Sequence, residues 1–185
     1  MLISVVVGLG IAHLLTGFGR LIHRADSTRI SAAHILWTAY IFFFMVIYWW
    51  TVVFGYHDWP NWNILIFLFI LAYGVVLFLL AVVLYPTDLP EPWDMQAHFI
   101  RMRHWFFGIF IVLVVTELAD TGLKRHFDDF ALPYLLMTGS WITCGVLGWI
   151  STNSRTQTVL AGYCLVTQLA WAGYQLRDLE WMIAS

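Results

Sequence analysis

Two ionisable residues sit where an ionisable residue is out of place. His13 lies in the run Gly8-Leu-Gly-Ile-Ala-His-Leu-Leu, and Glu117 follows Ile109-Phe-Ile-Val-Leu-Val-Val-Thr. Groups of this kind inside apolar stretches are costly to hold, and they mark proton relays, ion paths or ligand sites. Histidine is the least costly of them, because it can exist uncharged near neutral pH. Counting helical rise, His13 is expected about 13 Å from one end of its segment and Glu117 about 7 Å inside the opposite boundary. The chemistry this predicts is proton or cation handling, with His13 and Glu117 as protonatable gates. The plainer reading gives His13 a hydrogen bond to a neighbouring helix and pairs Glu117 with Lys124 or Arg125.

Other residues gather around these two by spacing. Gly10, His13, Gly17 and Arg20 share one helical face, and Gly8, Ala12, Thr16, Gly19 and His23 form the face beside it. Small residues let helix backbones approach closely, so this first segment is expected to be a tightly packed central helix. Near the C-terminus, Cys164, Gln168, Trp171 and Gln175 follow a four-three-four spacing, and Thr138, Trp141 and Thr143 stand on the segment before. Trp141 and Trp171, at similar depth, are expected to wall a vestibule with Glu117. Helix-to-helix hydrogen bonding is the competing use of such a stripe. A third group joins His23, His34, His98 and His104 to Arg20, Arg24, Arg101 and Arg103 at the other boundary. Basic side chains there suit anionic lipid headgroups, or the docking of a partner or anionic small molecule.

Several chemistries lack their residues. Gly139-Ser140-Trp141-Ile142 is not the GxSG of an intramembrane serine protease, and the histidines do not form the clustered boxes of a diiron hydroxylase. Cys144 and Cys164 make no CxxC, so neither a disulfide framework nor a metal site is expected. A bis-histidine haem needs two imidazoles at matching depth. His13 has no such partner, which leaves haem between His34 and His104 as the cofactor option. Enzymatic activity is not the favoured expectation.

These residues must be positioned by elements suited to lipid. Of 185 residues, 61% are hydrophobic and 11% charged, far from the balance of a water-soluble domain, where about a quarter are charged. The net charge of −2 and the scattered lysines and arginines offer no footprint for nucleic acid. A span needs about 20 apolar residues, and six windows qualify: 2–22, 32–54, 64–85, 104–121, 132–150 and 158–176. The expected fold is therefore all-α, a single polytopic domain over residues 1–185. It is a bundle of six transmembrane helices, with a short interfacial helix before the fourth span. That helix is read from Pro90-Glu-Pro and Asp94, which suit a helix start, with Met95–Trp105 running on toward the span. The N-terminal segment is expected to be retained as the first span.

Lysine and arginine favour the loops after spans one, three and five, which places them on the cytoplasmic side of a cell membrane and both termini outside. Most of the eleven tryptophans fall near the two boundaries, as interfacial tryptophan does; Trp141 and Trp171 do not. The set Gly8-Leu-Gly-Ile-Ala-His13, His34-Ile-Leu-Trp37, Trp49-Trp50 and Arg103-His-Trp-Phe-Phe107 resembles a group of small uncharacterised bacterial multi-pass membrane proteins. That resemblance implies a membrane fold and carries no activity with it. A small transporter or channel-type protein for protons, ions or a small solute ranks first, as a monomer or homo-oligomer in the bilayer. A non-transporting accessory, sensor or assembly subunit of a membrane complex ranks second, and a haem- or quinone-binding redox protein third.

Overall fold

The computed structural model describes residues 2–24, 28, 30–56, 62–86, 94–124 and 127–184, the side chains of 54–55, 127–131 and 175–184 excepted. The apolar runs fold as six helices: α1 (Leu2–His23), α2 (Ala32–Gly55), α3 (Ile64–Leu84), α4 (Met95–Leu123), α5 (Phe127–Ile150) and α6 (Ser154–Ala184). Four segments, Leu2–His23, Ala32–Val53, Ile64–Leu84 and Met95–Leu123, are long and apolar enough to cross a membrane. The other two helices match them in length, but α5 includes Pro133 and α6 carries Ser, Thr and Gln residues along its course.

Side-chain caps set two of the starts. The Asn63 carboxamide oxygen accepts the N–H groups of Leu65 and Ile66 at 2.9 and 3.1 Å. Asp94 accepts the Ala97 N–H at 2.8 Å, satisfying a donor that the first turn leaves over. From Asp94 the helix runs unbroken for 29 residues. Met95–Trp105 is thus the opening of α4, and among the described residues no separate short helix precedes it; nothing interrupts the backbone ladder between Met95 and the apolar run. Pro90–Pro92 lies outside the described residues.

Contacts give the register of each pair. Helices α1 and α3 run parallel, with Gly10 beside Phe78 and Gly17 beside Tyr85. Helix α6 runs parallel to α2, with Gly162 beside Leu36 and Gln168 beside Tyr40 and Phe44. Helix α5 runs antiparallel to α4, with Gly145 beside Phe110 and Gly148 beside Phe107. One end of the bundle therefore gathers His34, His98 and the last turn of α3; we call it the histidine end. The other gathers Glu117 and Asp120, the carboxylate end.

The central helix is α2, which meets α1, α3, α4 and α6. This corrects the expectation that α1 is central. Gly10 and Gly17 do face the bundle, but Leu2, Val5, Leu9, Leu15 and Ile22 stay exposed, and a Cβ added at Gly8 or Gly19 would meet nothing within 4 Å. Small residues on α1 secure one close approach, to α2 and α3, and leave the rest of the helix at the perimeter. The centre is aromatic instead. Trp37, wholly buried, packs edge-on against Phe106, Phe107, Phe110 and Tyr40 with ring centroids 5.0–5.7 Å apart. That is the arrangement ring quadrupoles favour. Outside it, large apolar side chains such as Leu65 and Ile150 are about 70% exposed (73% and 70%). Exposed apolar side chains in this number suit lipid rather than water.

Candidate functional site

At the carboxylate end three tyrosines from three helices or caps reach the acids of α4. Tyr73 of α3 donates its hydroxyl to Glu117 Oε2, and Tyr56, just past α2, donates to Asp120 Oδ1. Lys124 sits one turn beyond Asp120, donates to its Oδ2 at 2.6 Å, and lies 4.6 Å over the Tyr56 ring. Tyr134 of α5 lies 2.8 Å from the Thr121 hydroxyl and donates to the Glu117 backbone carbonyl at 3.3 Å. Tyr48 donates to the Ile70 carbonyl and stacks obliquely on Tyr73, 4.5 Å between centroids. Burial, and then the bond to Asp120, hold the Tyr56 phenol well above its usual range, so it remains a donor at any working pH. Lysine 124 is taken by Asp120 and not by Glu117. Among the described residues the one hydrogen bond to the Glu117 carboxylate comes from Tyr73. Asp120 is buried and accepts two hydrogen bonds, from Tyr56 and Lys124.

The histidine end is built differently. His13 Nε2 lies 2.8 Å from the backbone carbonyl of Tyr85, the residue that caps α3. An imidazole N–H there satisfies one of the carbonyls a helix leaves unbonded at its C-terminus. Because Gly17 is level with Tyr85, His13 stands beside the last turn of α3 rather than deep in the bundle; counting from α1's own end missed that α1 continues past α3. Tyr85 then turns its hydroxyl to Thr38 Oγ1 at 2.9 Å and its ring edge to His34 at 4.6 Å. His98 places Nε2 3.1 Å from the Val83 carbonyl. His34 is wholly buried, and neither of its ring nitrogens has a hydrogen-bond partner; the same holds for Trp37 Nε1, Tyr40 Oη and His98 Nδ1.

The remaining predicted residues are spread over both regions. Arg20 is partly buried on α1, and Arg101 and His104 are exposed. Arg103 donates to the carbonyls of Ile100 at 2.8 Å and Trp149 at 3.3 Å. His104 packs on the Trp149 ring at 5.4 Å, whereas His34 packs on Tyr85 and Phe99. His34 is wholly buried and His104 exposed, so the two do not line one common pocket for a haem. Trp141 is buried against Tyr40 and Phe44 and donates to Thr167 Oγ1 at 2.8 Å. Trp171 stands apart from it, on Tyr134 and Tyr174, in an apolar groove of about 410 Å³ lined also by Pro133 and Met137. The two tryptophans do not share a vestibule; Tyr134 is what lies between Glu117 and the Trp171 groove. Gln168, with its amide oriented to suit its neighbours, donates Nε2 to the Tyr40 carbonyl at 3.2 Å and accepts the Phe44 N–H at 3.1 Å. Among the described residues no group of three His, Cys, Asp or Glu side chains could hold a metal ion.

Fold and site together define an all-α bundle with four membrane-compatible helices, an aromatic core and a tyrosine-bound carboxylate near one end. No protein-family model, curated protein or solved structure matches the chain.

Proposed function

We propose that the chain is a small multi-pass membrane protein of transport or channel type, with Glu117 as the acid that a mobile cation visits. One observation carries this reading. Glu117 stands within the apolar length of α4, held by the Tyr73 hydroxyl, while the nearby ammonium of Lys124 is committed to Asp120. Among the described residues, which do not include Arg125, no fixed cation pairs with Glu117, and a carboxylate so placed suits a proton or small cation. In this reading α5 and α6 cross the bilayer with the other four, since each runs alongside a helix that is apolar enough to do so. The histidine end, with its arginines, then faces the cytoplasm.

The test is ion flux into vesicles of phosphatidylethanolamine and phosphatidylglycerol loaded with a pH-sensitive dye, driven by a potassium–valinomycin potential. Wild-type protein is expected to acidify the lumen faster than protein-free vesicles, and Glu117→Gln to slow it by about a hundredfold, the scale of a positioned proton-transfer group. Wild-type vesicles no leakier than empty ones to protons, Na⁺ or K⁺ would defeat the proposal. An inert protein that co-purifies with a stoichiometric membrane partner would establish the accessory role instead.

A further inference from the structure

Two hydrogen bonds fix the register between α5 and α6. Trp141 donates its indole N–H to the Thr167 hydroxyl at 2.8 Å, and Gln157 donates its amide to the Gly148 carbonyl at 2.9 Å. The two helices therefore run antiparallel. Three residues from Trp141 toward Gly148 stands Cys144, and three residues from Thr167 toward Gln157 stands Cys164. Equal steps from a bonded pair bring the two cysteines opposite one another. Both belong to the buried core, both are free thiols, and their side chains interact directly. They are the two cysteines of the chain. No CxxC announces them, because it is the antiparallel pairing of two helices that makes them neighbours.

The same register opens toward the carboxylate end. Pro133 and Met137 of α5 face Ala170, Trp171 and Tyr174 of α6 across the groove of about 410 Å³, and Thr167 lies at its inner end. The thiols lie about one turn beyond Thr167. Cys144 keeps 7% of its surface open, whereas Cys164 keeps none. The pair of helices is also loosely joined, for α5 packs chiefly on α4 and α6 chiefly on α2. That looseness allows the small approach of backbones that a sulfur–sulfur bond of about 2.05 Å requires.

We infer that Cys144 and Cys164 form a reactive dithiol, a site at which a small neutral peroxide arriving from the lipid-facing groove creates a disulfide between α5 and α6. This goes beyond the transport reading and does not rest on it. Cys144, the more open of the two, is attacked first. Its sulfur takes one peroxide oxygen as the O–O bond breaks, and its proton leaves with the other oxygen as water, giving a sulfenic acid. The Cys164 sulfur then attacks the Cys144 sulfur. The S–S bond forms, the S–O bond breaks, and the Cys164 proton leaves with the hydroxide as a second water. In all, two thiols lose two electrons and two protons to one peroxide. Burial slows the first step, since a thiolate is disfavoured in apolar surroundings. The adjacent second sulfur makes that step productive, capturing the sulfenic acid before it oxidises further. Once made, the bond ties the α4–α5 pair to the α2–α6 pair at the closed end of the groove.

The test treats full-length protein in lipid vesicles with hydrogen peroxide, removes the peroxide with catalase, unfolds the protein and adds N-ethylmaleimide. Reduced protein is expected to take up two maleimides and peroxide-treated protein none, with dithiothreitol restoring both. A digest is expected to yield the Cys144 and Cys164 peptides joined and lighter by two hydrogens. Full maleimide uptake after peroxide would overturn the proposal. So would sulfinic or sulfonic acid in place of the joined peptides, or a disulfide found only between two copies of the chain. Cys164→Ala is expected to strand Cys144 as a sulfenic acid that dimedone captures, while Cys144→Ala leaves the enclosed Cys164 largely unlabelled. Equal labelling of the two variants would overturn the assignment of Cys144 as the sulfur attacked first. The wild-type digest decides the cross-link even where a variant fails to fold.

Discussion

The two ends of the bundle satisfy their polar side chains to different degrees. At the carboxylate end, tyrosine hydroxyls and one lysine meet carboxylates donor to acceptor: Tyr73 with Glu117, Tyr56 and Lys124 with Asp120. At the histidine end, His13 and His98 each set a ring nitrogen on a backbone carbonyl of the last residues of α3 and its cap, while His34 keeps ring nitrogens that no protein group reaches. A closed network fixes its members and resists replacement of any one of them. An open one tolerates loss of its donors, because the fold does not depend on them. Stability should therefore depend unequally on the two ends of the molecule.

That separation can be broken or sharpened by substitution, read as unfolding midpoints in detergent from tryptophan fluorescence. The largest effect is expected from Asp120→Ala, which leaves the Lys124 ammonium mostly buried without its counter-charge. Stripping one partner from such a pair costs about 3 kcal/mol, and a midpoint within a degree of wild type would show that the carboxylate end is not a closed network. Gly17→Ala comes next. A methyl there runs into the Tyr85 ring, and overpacking of this kind costs about 1–3 kcal/mol. Because Tyr85 carries the contacts to His34 and Thr38, Gly17→Ala should also raise hydrogen exchange through the first turns of α2. Tyr73→Phe, which deprives Glu117 of its donor, is expected to cost about 1–2 kcal/mol. His13→Ala removes the group bonded to the carbonyl at the end of α3 and should cost about 1 kcal/mol, with faster exchange confined to the last turn of that helix. Tyr40→Phe is the smallest, within about 0.5 kcal/mol, since no protein partner is orphaned. A Tyr40→Phe loss as large as that of Tyr73→Phe would erase the contrast between the ends.

Much of this architecture was legible in the chain. The apolar windows 32–54 and 64–85 meet α2 and α3 almost residue for residue, because their ends coincide with loops. The fourth window starts at His104 and α4 at Met95; the helix read from Asp94 as running on toward the span is its first turns, where Arg101, Arg103 and His98 depress any apolar average although the backbone is regular helix. Those same turns cover His34 with Phe99, which is why a residue placed at the rim by counting is wholly buried. Centrality was misjudged for a related reason. Glycine spacing on α1 reports how close two backbones come, not how many neighbours a helix has, and the stronger signal was the large aromatics of α2 at three- and four-residue steps.

The site was legible in its acids and not in their partners. Glu117 stands out against valine and leucine. Tyr56, Tyr73 and Tyr134 do not, since tyrosine counts as apolar in any hydropathy sum and shows its hydroxyl only when a fold gives it something to bond. Cys144 and Cys164, which make no CxxC, are both buried in the core cluster. Gln168 was singled out for its stripe, and the stripe marked a helix-to-helix contact.

That contact sets a rule for movement. By straddling the Tyr40 carbonyl and the Phe44 N–H, the Gln168 amide engages one rung of the α2 backbone ladder, and the next equivalent rung on that face is a full turn away, about 5.4 Å. Small slippage of α6 along α2 finds no alternative bond, so the two helices behave as a toothed pair: locked over fractions of a turn, and able to re-engage only after a whole one.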